Sequence, residues 1–206
     1  MSNRTELRER LRLELGDTGA VAVWSDDLLD ALLVESVGWY SQLWPRQTVG
    51  YLDVAAGQRA FSEPVGAIGI SGVECPPGRV LMQVADGSVG APSVPGAGVR
   101  QTWSAWAGSV YLGNAASGDE VGELKLVMRA LVPWPRLDPE EQWEGPYSDE
   151  RLLVLWSAVE AWEWLEGQGL KLGRTPVSTA TDHYRQELES EIEARKRAAS
   201  SRILDA

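Results

Sequence analysis

Residues 24–33 read WSDDLLDALL, and this stretch predicts the start of the helix around which the chain is organised. The hydroxyl of Ser25 is placed to accept a hydrogen bond from a backbone N–H of the first turn. The two aspartates that follow put negative charge at the positive end of the helix dipole. Trp24 and Leu29 have the spacing of a hydrophobic staple, which sets the angle at which the chain enters the helix. Pro45 cannot continue a helix, so the sequence predicts its end there.

The same order of residue types recurs at residues 147–152, which read YSDERL. It predicts a second stapled helix that ends at Gly167. The likeness fits either an internal duplication or good capping chemistry used twice. Both helices carry apolar residues at helical spacing, so we expect them to pack on each other. The residues predicted to form their core or inter-subunit faces are Trp24, Leu29, Trp39, Trp44, Trp156, Trp162 and Trp164.

A helix is also expected near each end of the chain. Residues 4–15 predict a short helix with Thr5 as its candidate cap. The final helix, from residue 176 or 181 to residue 199, has a narrow apolar stripe among many charges. We therefore expect it on the outside of its domain or reaching to a neighbour. Beyond it, Ile203 and Leu204 fit either a frayed terminus or a peptide that docks on a partner.

Between the two stapled helices the pattern changes from helical to strand-like. Residues 48–62 predict a hairpin closed at a glycine. Further strand-like runs lie at residues 67–73, 79–84, 99–106, 109–112 and 123–132. Because no helix separates these runs, they predict an antiparallel sheet or a small barrel.

Two segments are predicted to be loops that are flexible or contact a partner. The first, from Asp86 to Gly98, consists almost entirely of Gly, Ser, Ala, Val and Pro, which cannot bury enough surface to hold one conformation by itself. It fits either a flexible tip or a segment that orders against a partner. The second, residues 133–147, is a proline-rich strap that carries Trp134 and Trp143 among acids and should be stiff and extended.

Together these patterns predict an α+β fold, in which a small antiparallel helical bundle carries an inserted antiparallel β-sheet or small barrel and an outlying C-terminal helix. The predicted organisation is a first helical half at 1–47, a β insertion at 48–132, a strap at 133–147, a second helical half at 148–167, and a C-terminal helix with a docking tail at 168–206.

Composition limits the function. The chain has ten Trp, five Tyr and one Phe among 206 residues, and Trp favours half-buried interfaces as well as cores, so we expect a protein that assembles. A net charge of −11 argues against general binding to nucleic-acid phosphates. The single cysteine, Cys75, excludes an internal disulfide framework and fits a reducing compartment. We expect neither a signal peptide nor a membrane span.

The inventory of reactive residues is small. The single histidine, His183, lies on the polar final helix, far in sequence from Cys75, so no zinc site of usual ligand spacing can be assembled. No Gly-x-Ser-x-Gly elbow and no phosphate-binding Gly-x-x-x-x-Gly-Lys loop is present. Carboxylates are plentiful, but nothing selects an acid–base pair. We therefore expect no enzymatic activity, no catalytic residue, no metal and no cofactor.

Six short stretches of the sequence together indicate a family resemblance. They are LRERLR at 7–12, LGD at 15–17, WSDDLLDAL at 24–32, WPR at 44–46, VAAGQRAF at 54–61 and SDERLLVL at 148–155. In this order the chain resembles the head–tail adaptor proteins of tailed bacteriophages and gene transfer agents, also called head completion or connector proteins. The likeness is one of capping and hydrophobic order over most of residues 4–165. The smallest members are nearly all helical, whereas this chain carries about eighty residues of β-structure between its helices.

The resemblance implies a structural virion protein in the neck, made in the host cytoplasm, that forms a homo-oligomeric ring, commonly of twelve subunits, beneath the portal. Its expected partners are the portal protein, further copies of itself and a tail-side neck or tail-completion protein, with no membrane. DNA would pass through the ring without specific binding, which suits an acidic subunit. The residues expected to dock on the portal are Tyr184, Leu188, Ile192, Ile203 and Leu204.

A second class of function stays open. A β-rich module that binds carbohydrate or peptide would use Trp103, Trp106 and Trp134 as a stacking platform. The first two are three residues apart, so a regular strand points them to opposite faces, which weakens a flat platform.

Overall fold

The computed structural model describes residues 1–19, 22–55, 57–75, 77–84, 102–113, 125–171 and 178–204. Its helices are α1 (Arg4–Leu15), α2 (Asp26–Leu43), α3 (Glu150–Lys171) and α4 (Ser178–Leu204). Its strands are β1 (Arg46–Asp53), β2 (Ala60–Ser62), β3 (Gly69–Glu74), β4 (Met82–Gln83), β5 (Thr102–Trp106), β6 (Ser109–Leu112) and β7 (Lys125–Val132). The predicted α+β class is confirmed.

The chain divides into two compact units. A helical unit consists of Met1–Trp44 and Trp134–Ala206, and a β unit consists of Pro45–Pro133. The β unit is therefore inserted into the sequence of the helical unit.

Local capping explains where α1 and α2 begin. Asn3 caps α1, because its side chain accepts from the backbone N–H of Glu6 at 2.9 Å and the Glu6 carboxylate accepts from the Asn3 N–H at 3.2 Å. The cap predicted at Thr5 is therefore wrong, since Thr5 lies inside the helix. The hydroxyl of Ser25 accepts from the N–H of Leu28 at 3.3 Å, as the sequence predicts for α2.

The start of α3 differs from that of α2 in spite of the shared sequence pattern. A single 3₁₀ turn, Tyr147–Asp149, precedes the helix and has no side-chain cap. Tyr147 is 60% exposed, so it does not form the buried staple that the pattern predicts. The helix also continues past Gly167 to Lys171. Gly167 does not adopt the positive φ of a helix-ending glycine, and inside a helix a glycine costs only about 1 kcal/mol.

The helices α2 and α3 pack on each other, which confirms the prediction from their apolar stripes. The indole rings of Trp39 and Trp156 stack with centroids 6.0 Å apart. Trp24 meets Trp162 edge-on at 5.2 Å and donates its indole N–H to the carbonyl of Ala161 at 3.0 Å. The staple residues Trp24 and Leu29 of α2 lie in the same buried cluster.

The strap that was expected to meet a partner belongs to the core of the helical unit. Trp143 is 2% exposed, and Trp134 packs against the same cluster. The backbone N–H of Trp134 donates to the Ser41 hydroxyl at 2.9 Å, and its indole N–H donates to the carbonyl of Trp44 at 2.7 Å. The prediction that Trp134 and Trp143 sit on a partner loop is therefore corrected, because their large apolar faces are used internally.

The β unit contains two sheets, with strand orders β1-β7-β3 and β2-β6-β5-β4. The pairing is antiparallel except between β4 and β5. The hairpin predicted at residues 48–62 is wrong, since β1 pairs with β7 and β2 pairs with β6. Both neighbours bring apolar partners from far along the chain, such as Val110 opposite Phe61. The shared core consists of Val54, Phe61, Val73, Cys75, Leu81, Trp103, Val110, Leu112, Leu126 and Met128.

Candidate functional site

Two adjacent buried carboxylates, Asp149 and Glu150, each accept several hydrogen bonds where α3 begins. Asp149 is 1% exposed and receives hydrogen bonds from the Tyr40 hydroxyl and, at 2.9 Å, from the Ser148 hydroxyl. The guanidinium of Arg195, on α4, pairs with the same carboxylate at 2.6 Å and lies 5.4 Å from the ring centroid of Trp44. The Asp149 carboxylate therefore connects α2 and α4 to the 3₁₀ turn that precedes α3.

The next residue, Glu150, connects the N-terminal segment and α1 to the start of α3. Glu150 is 1% exposed and accepts from the backbone N–H of Ser2 at 2.7 Å and from the Ser2 hydroxyl at 3.0 Å. Arg10 donates to it from α1 at 2.6 Å. The sequence pattern predicts only a helix start at these two acids, so their role in holding distant segments was missed. The donors to Glu150, Ser2 and Arg10, lie 148 and 140 residues away in the sequence. A local sequence pattern therefore contains no sign of this role.

An open groove of about 430 Å³ lies beside these acids, between α1 and the start of α3. Its exposed apolar side chains are Leu13 and Tyr147, at 69% and 60% exposure. Arg10 stacks its guanidinium 5.7 Å from the Tyr147 ring centroid. The second cation of the groove, Arg151, forms ion pairs with Glu187 of α4 at 3.5 Å and with Glu191 of α4 at 3.4 Å. The groove thus combines exposed apolar side chains with paired charges.

Three of the five residues predicted to dock on the portal contribute instead to the helical core. Leu188 is 8% exposed and belongs to the buried cluster, and Ile192 packs against it. The Tyr184 hydroxyl donates to the carbonyl of Glu14 at 2.5 Å. Burial within their own unit argues against portal docking by these three side chains. Ile203 and Leu204 fall in the last turn of α4, and their side chains lie outside the described residues, so their docking stays a prediction.

The aromatic residues predicted for helix faces divide by exposure. Trp24 and Leu29 are core residues at 3% and 0% exposure. A half-buried group packs against the core and consists of Trp39, Trp44, Trp156 and Trp162. Trp164 is 41% exposed, so of the predicted set it presents the largest free apolar face.

The stacking platform of the alternative function is not assembled. Trp103 is 1% exposed in the core of the β unit, and Trp134 packs in the core of the helical unit. Trp106 is 63% exposed at the end of the β5–β6 hairpin, where Ala107 and Gly108 adopt positive φ values of 51° and 74°. One exposed indole does not make a platform for a chain of sugar rings.

Several apolar side chains of the β unit are exposed among the described residues. Three of these residues follow one another along the edge strand β1: Val49 is 42% exposed, Tyr51 67% and Leu52 36%. The remaining exposed apolar residues of this unit are Val65, Ile68, Val80, Met82 and Trp106. The exposed apolar residues on the edge strand β1 are available for contact with another chain.

Among the residues that the structure describes, the single histidine does not belong to a metal site. His183 is exposed on α4 and lies beside the Tyr184 ring. Across residues with assigned positions, no group of three or more His, Cys, Asp or Glu side chains is placed to hold a metal ion. The loop from Asp86 to Gly98 lies outside the described residues. None of the described helices combines the length and the apolar composition that crossing a bilayer requires.

Neither a scan against protein-family models nor a search of curated proteins finds a match to this chain.

Proposed function

We propose that the chain is a head–tail adaptor, a structural neck protein that forms a ring beneath a phage-type portal and joins the DNA-filled head to the tail. The observation that carries the proposal is the order of its elements. A helical unit is built from two separated parts of the chain, and the β unit is inserted between them. This is the order on which the resemblance to the adaptor proteins rests.

Surface chemistry supports an assembling protein with a passive relation to DNA. The net charge of −11 disfavours binding to phosphates, as a channel for sliding DNA requires. Trp164 on α3 and the exposed apolar residues of the β unit supply contact area for neighbouring subunits. With Leu188 committed to the core, portal docking is assigned to Ile203 and Leu204 at the end of α4.

The test uses the purified chain alone and mixed with the portal protein of the same genome. Multi-angle light scattering and negative-stain microscopy should show a ring, or a stoichiometric collar on the portal. The I203D/L204D variant should lose the collar, whereas A194D, which adds charge at an exposed position of the same helix, should keep it. The proposed function would be contradicted if the chain did not bind the portal protein under any condition tested.

A further inference from the structure

The strand β1 forms one edge of its sheet. It pairs with β7 over eight residues, from Arg46 opposite Val132 to Asp53 opposite Lys125. In the described part of the chain no strand pairs with its other side. Alternate residues of a strand point to the same face, so Val49 and Tyr51 form an exposed apolar row on one face of this edge.

The described residues of this edge lack three of the features that prevent strands from pairing between molecules. Residues 46–53 contain no proline, no lysine and no bulge. The opposite edge is interrupted by a bulge between Ile70 and Gly72, and its end is covered where the N–H of Leu81 donates to the carbonyl of Val73. The edge strands of the other sheet, β2 and β4, have only three and two residues. Among the strands that the structure describes, β1 therefore has the longest edge without a bulge or a paired strand, with its exposed apolar residues at Val49 and Tyr51.

The sequence of β1 complements itself. A two-fold axis perpendicular to the sheet pairs the two strands in antiparallel fashion and keeps the same face of both sheets on one side. Directly opposed residues must then be both odd-numbered or both even-numbered. With Gly50 on the axis, Val49 lies opposite Tyr51 of the second copy, and this pair of a β-branched and an aromatic residue forms twice. A shift of two residues in one direction pairs Val49 with the second Val49 but sets Tyr51 against Gln47, and the opposite shift pairs Tyr51 with the second Tyr51 but sets Val49 against Asp53. With Gly50 on the axis, both apolar residues have an apolar partner. The register centred on Gly50 is therefore the favoured one.

We propose that two copies of this chain associate through β1 in this antiparallel two-fold register, which joins their sheets into one of six strands in the order β3-β7-β1-β1-β7-β3. The occupant of the edge is a second copy because the two exposed apolar residues of the strand, Val49 and Tyr51, become each other's partners across the two-fold axis. The contact is isologous, unlike the heterologous contacts that close a ring, so it goes beyond the proposed adaptor function.

The test exchanges charge across the proposed pairs. In V49K/Y51K each substituted residue faces another positive charge, and in V49E/Y51E each faces another negative charge. Light scattering should show that either variant alone has half the particle mass of the wild type. An equimolar mixture should recover the full mass, because each lysine then faces a glutamate. The matched control V65K/I68K changes two exposed apolar residues of the same unit and should keep the wild-type mass.

Several outcomes would overturn the proposal: a wild-type chain that stays monomeric at high concentration, an unchanged mass in V49K/Y51K, or a mixture that does not reassociate. Hydrogen exchange on the unmodified chain gives a test without variants. Exchange at the amides of residues 47–53 should slow as protein concentration rises, and concentration-independent exchange there would equally contradict the pairing. Portal binding is not measured in either experiment, so failure here leaves the proposed function to its own test.

Discussion

Asp149 and Glu150 illustrate how much of this fold depends on single charges. Both are 1% exposed, and donors from α1, α2, α4 and the N-terminal segment converge on them. A buried carboxylate is tolerated only when its hydrogen-bonding capacity is used, since an unsatisfied charge costs several kcal/mol. These two residues therefore hold together segments that lie far apart in sequence.

Replacing Glu150 by Gln should destabilise the helical unit. The neutral amide keeps the shape but weakens the charge-assisted bonds to Arg10 and Ser2, so we expect a loss of about 1–3 kcal/mol in the free energy of unfolding. The matched control is Asp27→Asn, the residue at the same place in the α2 pattern, which is exposed and should cost less than about 1 kcal/mol. Urea denaturation measures both, and equal effects would show that the burial of Glu150 is not important.

Tyr40 predicts a loss of stability in alkali. Burial and the hydrogen bond to Asp149 raise the pKa of its hydroxyl, so the folded state favours the neutral form. A raised folded-state pKa gives stability that is complete below the unfolded value of about 10 and is lost as pH rises above it. The free energy of unfolding should therefore fall above about pH 10, by up to about 1.4 kcal/mol per pH unit for this group.

The variant Tyr40→Phe separates this contribution from the rest. It should cost about 1 kcal/mol near neutral pH, because the bond to Asp149 is lost, and should then show a shallower decline in alkali. Some decline remains because burial also raises the pKa of Tyr184. Parallel pH profiles for the variant and the wild type would contradict the assignment.

Between elements, the two helix starts with the same sequence pattern provide a direct comparison. Trp24→Ala removes a side chain that is 3% exposed and contacts Trp162, so it should cost about 3–5 kcal/mol. Tyr147→Ala changes the corresponding residue of the second pattern, which is 60% exposed, and should cost no more than about 0.5 kcal/mol. Thermal and urea denaturation measure the difference. Equal losses of stability would show that Tyr147 forms a staple at α3 after all.

The helix α4 is polar, yet it belongs to the helical core through Leu188. Leu188→Ala should destabilise the unit by about 2–4 kcal/mol, because it leaves a cavity beneath the helix. The neighbouring exposed residue provides the control, since Glu189→Ala should stay within about 0.5 kcal/mol of the wild type. If Leu188→Ala were neutral, α4 would be free to reach a partner, as its sequence alone suggests.

At the scale of the whole molecule, the two points at which the β insertion interrupts the helical unit, Trp44 and Trp134, are in contact. The indole N–H of Trp134 donates to the carbonyl of Trp44, so the chain ends on either side of residues 45–133 are close together. Replacing those residues by Gly-Ser-Gly should give a helical protein that unfolds cooperatively. Circular dichroism and urea denaturation test this, and a non-cooperative product would show that the helical unit depends on the β unit for its fold.

The sequence by itself determined the features that depend on neighbouring residues. The cap at Ser25, the apolar stripes that bring α2 and α3 together, and most strand positions were predictable, because the interactions involved span only a few residues. The function of the chain stays a prediction that rests on a resemblance.

Tertiary structure decided what identical local signals became. The pattern at residues 147–152 matches that at 24–29, yet its acids are buried because donors from Ser2, Arg10 and Arg195 reach them. Likewise β1 and β2 are adjacent in sequence but belong to different sheets, since β7 and β6 are the partners that complete two apolar layers. Such outcomes depend on competition between partners many tens of residues apart, which local propensity and periodicity do not contain.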